Sequence, residues 1–275
     1  MLRKLMKHEW KSIGKIPVIM LIILFVSTIL AGLTFVYPIW ESEALDGVGF
    51  LVILVWLLYY GILIGVSAGI SIYLAVHFYK TMYTDEGYLT HTLPVTPGQL
   101  LVSKLLPMAG WIYIMSIAMV VSMLLFAFMA VMFIRPDGMT TMQIFAEIKE
   151  VFAELGAMLS EQGGIGFLLS MLLMVVTSGF SGAAMMIGSV TIGQLVSKHK
   201  ILGSIGAYFA INSIASTVSM LAMVPTMIGT AGKEVISPYD ILTPTYAVTS
   251  IIMIVIAVVL FFVSELILRK KLNLD

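Results

Sequence analysis

No cysteine occurs anywhere in these 275 residues, which excludes disulfide staples, thiolate metal sites and cysteine nucleophiles. Charge is nearly as scarce, at 11% of residues, where an ordinary soluble domain carries about a quarter. The fifteen basic and fifteen acidic residues cancel, so no overall positive field exists to draw nucleic acid, and none is expected as a partner. Enzyme signatures are missing as well. His8-Glu9 has no second histidine at the spacing of a zinc protease, and Gly232-Lys233 runs into Glu234 with no phosphate-cradling loop before it. No catalytic residue, metal ligand or bound cofactor is therefore expected in this chain.

What is abundant is apolar sequence, 60% of the residues. It gathers into six runs, 16–37, 50–78, 105–134, 165–196, 201–228 and 246–268, each long enough to cross about 30 Å of hydrocarbon as a helix. The first run follows five basic residues, exceeds a signal-peptide core and lacks a small-residue cleavage pattern, so it is expected to stay as a span. Six spans put both termini on one side. Twelve of the fifteen Lys and Arg residues fall on that side: Arg3, Lys4, Lys7, Lys11, Lys15, Lys80, Lys104, Lys198, Lys200, Arg269, Lys270 and Lys271. Arg135, Lys149 and Lys233 fall on the other, and the excess marks the cytoplasm. The expectation is an all-α polytopic membrane protein. Residues 1–15 form a cytoplasmic interfacial segment, 16–268 a six-span domain with a cytoplasmic loop at 79–104 and an extracellular helical loop at 135–163, and 269–275 a cytoplasmic tail. The fourth run is too long for an untilted span and is expected to bend at its glycines or project into the cytoplasm. A tight turn at 197–200 should join it to the fifth.

Two segments between the runs are amphipathic. At the start, Leu2, Leu5, Met6, Trp10 and Ile13 recur at helical spacing opposite Arg3, Lys4, Lys7, His8 and Lys11, the pattern of a basic helix lying in a membrane interface, where it can anchor or dock. In the outer loop, Thr140 and Gln143 form a capping box. Ile144, Phe145, Ile148, Val151, Phe152, Leu155 and Leu159 follow, opposed by Glu147, Glu150 and Glu154; this helix should rest its apolar face on the outer span ends. Gly61, Gly65 and Gly69 in the second run, and Gly182 in the fourth, are small-residue positions where another helix can approach closely, within the chain or across a dimer. Asn212, Ser213, Ser216, Thr217 and Ser219 put a polar stripe on the fifth. No run has a charge near its middle, which counts against proton- or ion-coupled transport. His77 and Glu265 lie near inner ends, where snorkelling accounts for them.

The cytoplasmic stretch 83–104 reads YTDEGYLTHTLPVTPGQLLVSK. An acidic pair precedes a glycine turn, Leu89 and Leu93 offer apolar contacts, and Pro94 and Pro97 stiffen the exit. This stretch resembles the corresponding loop of permease subunits of bacterial ABC transporters of the type-2 exporter class. The matching positions are Asp85, Glu86, Gly87, Tyr88, Leu89, Thr92, Leu93, Pro94, Pro97, Gln99, Leu100, Leu101 and Lys104, and the six-span layout with a basic amphipathic start extends a looser likeness over the chain. The resemblance implies a multi-pass protein of the bacterial plasma membrane, exporting an amphipathic peptide, lipid or drug. A separate ATP-binding subunit would carry ATP and Mg, and a second permease protomer, identical or related, would complete the membrane part among the lipids. It further implies that Asp85, Glu86, Gly87, Tyr88, Leu89, Leu93 and Pro94 couple to the ATPase, with Trp10, Lys198 and Lys200 as secondary contacts. The competing readings are a membrane scaffold or sensor and an intramembrane enzyme.

Overall fold

The computed structural model describes residues 2–36, 47–84, 87, 94–135, 139–196, 198–230 and 237–270. Within them the chain forms α1 (Leu2–Ile13), α2 (Lys15–Leu33) with a closing 3-10 turn (Thr34–Val36), α3 (Gly47–Tyr83), α4 (Pro97–Ile134), α5 (Thr141–Ser160), α6 (Gly164–Gly193), α7 (Lys200–Thr230) and α8 (Pro238–Lys270). Helices satisfy every backbone group within the segment, which is the condition for crossing lipid, and glycine or a β-branched residue is tolerated there. Six of the helices, α2 to α4 and α6 to α8, are long and apolar enough to span a membrane. The chain is a multi-pass membrane protein.

Three helices begin with the same local device. The Thr96 amide donates to Gln99 Oε1 (3.4 Å) while the Gln99 amide donates to Thr96 Oγ1 (3.3 Å), with Pro97 at the first helical position of α4. The Thr140 amide donates to Gln143 Oε1 (2.8 Å) ahead of α5. The Ser237 amide donates to Asp240 Oδ2 (3.1 Å) ahead of α8, with Pro238 at its first position. Each satisfies donors that a helix start leaves orphaned, and proline costs nothing where no intrahelical N–H is needed. Between α5 and α6 the chain turns through Gly163 at φ +106°, a left-handed conformation open to glycine and strained for residues with a Cβ.

The helices outrun the apolar runs. α3 continues to Tyr83 and α4 starts at Pro97, so both helices extend into the stretch expected as a loop at 79–104. Hydrophobicity stops at the first polar residues, whereas backbone hydrogen bonding does not. At 37 residues α3 is about 55 Å long. The fourth run forms one continuous helix, α6, from Gly164 to Gly193. Its small residues serve close packing. A Cβ on Gly188 would stand 2.9 Å from Leu260 of α8, and one on Gly193 would collide with the Ser204 backbone of α7.

The chain divides into two compact units, one built from 1–13, 72–112 and 158–275, the other from 14–71 and 113–157. In the first, α6 packs on α7 and α8 around Ala183, Ala184, Ile187 and Leu260. In the second, Tyr59 stacks on Phe126 at 4.8 Å, and its hydroxyl bonds Ser122 (2.9 Å), which bonds Thr28 (2.7 Å). Of α5 the structure buries Ile144 and leaves Phe145, Phe152 and Leu155 exposed, so most of the apolar face expected to be covered is open among the described residues.

Candidate functional site

The last turns of α3 are held tightly. Phe78 and Met82 are fully buried, and the Tyr83 hydroxyl donates to Thr191 Oγ1 of α6 at 3.0 Å. The chain then turns, the Gly87 amide donating to the Thr84 carbonyl at 2.7 Å. Gly87 is buried, and a Cβ there would lie 2.5 Å from the Met82 carbonyl oxygen. This position therefore takes glycine for space. Asp85, Glu86, Tyr88, Leu89, Thr92 and Leu93 lie outside the described residues. Pro94 is exposed.

The second half of the stretch has structural work of its own. Pro97 and Gln99 start α4 as described above. Leu100 and Leu101 are buried, and Lys104, read from sequence as a marker of topology, is 2% exposed. Its Nζ donates to Glu9 Oε1 of α1. The other carboxylate oxygen, Oε2, stands 3.5 Å from His77 Nε2 of α3, beyond a good hydrogen bond, and among the described residues neither of these two buried atoms makes one. Burial by itself raises the Glu9 carboxyl, but the His77 imidazole and the Lys104 ammonium outweigh it and hold the group below the usual carboxylate range.

Neighbouring contacts fasten the same helix. Trp10 stacks on Trp111 of α4 with ring centroids 5.3 Å apart, and its indole crowds Gly110, where a Cβ would meet it at 2.5 Å. The Tyr73 hydroxyl donates to the Ile13 carbonyl at 3.0 Å. α1 is thus docked on α3 and α4, the two helices that flank the loop.

Of the residues singled out from sequence, this arrangement brings together Trp10 and the loop flanks. Lys198 is exposed and Lys200 half-buried at the start of α7, outside the cluster of Glu9, His77 and Lys104. Gly182 meets Ile112 at 3.7 Å and Gly69 meets Met20 at 3.1 Å, while Gly61 and Gly65 face open space among the described residues. Asn212, Ser213, Ser216 and Thr217 are exposed on α7. A cavity of about 210 Å³ beside Leu105, Phe180, Ala184, Phe261 and Phe262 is almost wholly apolar.

Glu9 and His77 were the residues whose role sequence reasoning missed, one named only in an excluded zinc-protease pattern and the other explained by snorkelling. A signal existed for the first: Glu9 interrupts the apolar stripe of Leu2, Leu5, Met6 and Ile13 at helical spacing, and a carboxylate on a packed face requires a buried partner. No family model, curated protein or solved structure matches the chain.

Proposed function

We propose that this chain is the permease subunit of a bacterial ATP-binding-cassette exporter, working as one of two membrane protomers and powered by a separate ATP-hydrolysing subunit. The observation that carries the reading is the joining of α1 to both flanks of the resembling stretch, to α4 through Glu9 with Lys104 and Trp10 with Trp111, and to α3 through the Tyr73 hydroxyl on the Ile13 carbonyl. A loop that transmits force must push on something stiff. The two long helices that flank the loop share a third, docked helix, which holds both ends of the loop. The exposed polar stripe of α7 and the open glycine face at Gly61 and Gly65 favour a second protomer as cover, because polar groups and close-packing surfaces are costly to leave against lipid. The path for an amphipathic cargo would run between the protomers, opening as ATP draws the cytoplasmic loops together.

The test is co-purification with an ATP-binding subunit encoded beside the gene. Glu86→Arg reverses a charge at the docking loop and Leu89→Asp removes an apolar contact. Loss of a central contact costs about 2 kcal/mol, roughly 30-fold in affinity. Both variants should keep normal membrane abundance while the ATPase complex weakens by that factor, and Glu150→Arg in the outer helix should leave it intact. Retention of the complex at the Glu150→Arg level by both loop variants would refute the docking role.

A further inference from the structure

Docking gives α1 two unlike faces. Leu2, Leu5 and Met6 are half-buried and Glu9 and Ile13 buried, whereas Arg3, Lys4, Lys7 and Lys11 are exposed. Glu9, the one acidic residue of the helix, is turned inward and matched by Lys104, so nothing on α1 offsets the four exposed cations. Among the described residues none of the four is in an ion pair. An ordinary interfacial amphipathic helix sinks its apolar face into lipid. Here α3 and α4 take up that side through Glu9 and Ile13, and the basic face is what remains for a partner. We infer that the exposed face of α1 is a docking surface for anionic phospholipid headgroups, held by charge rather than by insertion.

The level of the helix selects lipid over a soluble partner. Glu9 meets α3 at His77 and α4 at Lys104, and the apolar runs stop at 78 and resume at 105. α1 therefore lies where hydrocarbon gives way to headgroups, the zone in which Trp and Tyr concentrate, and Trp10 is exposed on it. Past that level α3 runs on from His77 to Tyr83, and α4 reaches back from Lys104 to Pro97, about 10 Å each at the rise of a helix. A soluble subunit seated on the loop meets those helix ends first, with α1 set back behind them. The anions present at the level of α1 are lipid phosphates, which Lys and Arg reach with their charged ends while the stems stay on apolar surface. Each Lys or Arg close to an anionic membrane strengthens association about fivefold, and salt screens the attraction within about 8 Å at physiological strength.

The cysteine-free sequence makes the test direct. A fluorophore on Ser12→Cys, exposed on α1, reports neighbouring lipid in the full-length chain held in phosphatidylcholine nanodiscs. The discs are doped with phosphatidylglycerol or phosphatidylcholine carrying a nitroxide quencher near the top of the chain. Half-quenching should need about tenfold less of the phosphatidylglycerol probe, and the preference should shrink as salt rises. With Arg3, Lys4, Lys7 and Lys11 all replaced by Gln the two probes should quench alike. That variant should still melt with the parent in undoped discs, because the four side chains are exposed. Lys149→Gln, in the outer helix, should keep the full preference. Equal quenching by the two probes in the parent would overturn the proposal, and so would an undiminished preference in the fourfold variant. Equal quenching joined to loss of a co-purifying ATP-binding subunit in the fourfold variant would also overturn it, by assigning the basic face to that subunit.

Discussion

Both units of the fold bury a polar knot, and the two knots are made of opposite chemistry. In the unit of 14–71 and 113–157 it is neutral: Tyr59, Ser122 and Thr28, with Thr28 also bonding the Leu24 carbonyl of its own helix at 2.7 Å. In the other unit it is charged: Glu9 between Lys104 and His77. A hydroxyl that loses its neighbour falls back on the helix backbone, so the neutral knot tolerates damage. A buried carboxylate has no such fallback. The first is suited to hold spans together, the second to hold one helix in a specific place.

The largest expected effect comes from leaving Glu9 alone. Lys104→Met should lower stability by about 3 kcal/mol or more, since an uncompensated buried charge remains. Adding Glu9→Leu to that variant should restore most of the loss, because a buried pair replaced by apolar residues is often neutral. Thermal unfolding in detergent measures both, and equal melting of the single and double variants would show that the pair is not coupled.

Packing should give an intermediate effect. Gly193→Ala forces a methyl into the Ser204 backbone and should cost about 1–3 kcal/mol. Gly65→Ala meets open space and should leave the melting of the monomer unchanged within error. If Gly65→Ala weakens self-association in the membrane, measured by energy transfer between labelled copies, the open glycine face is an interface between protomers. A small loss belongs to the neutral knot: Ser122→Ala removes two hydrogen bonds between spans and should cost about 1 kcal/mol. A loss as large as that of Lys104→Met would erase the distinction between the two knots.

Much of this architecture was legible before any coordinates. Periodicity and run length gave six spans and two amphipathic helices, and Thr140 with Gln143 marked the start of α5, because a capping box is local in sequence. The same device at Thr96 and Ser237 was equally readable and went unread. What sequence could not supply was pairing at a distance. Glu9 and Lys104 lie 95 positions apart, and nothing in either neighbourhood names the other. The helical extensions of α3 and α4 were missed for a different reason, since apolar runs report where lipid ends and helices continue past it. The loop residues Asp85, Glu86, Tyr88, Leu89 and Leu93 remain known by their pattern and their family resemblance.

Everything proposed for the loop depends on its facing the cytoplasm, where an ATP-hydrolysing subunit would be. Single cysteines in the otherwise cysteine-free chain, at Thr90 in the loop and at Thr141 at the start of α5, decide this with a membrane-impermeant thiol reagent. In intact cells Thr141→Cys should label and Thr90→Cys should not, the latter reacting only after permeabilisation. Labelling of Thr90→Cys from outside would put the loop on the wrong side of the membrane for any cytoplasmic ATPase and contradict the permease assignment.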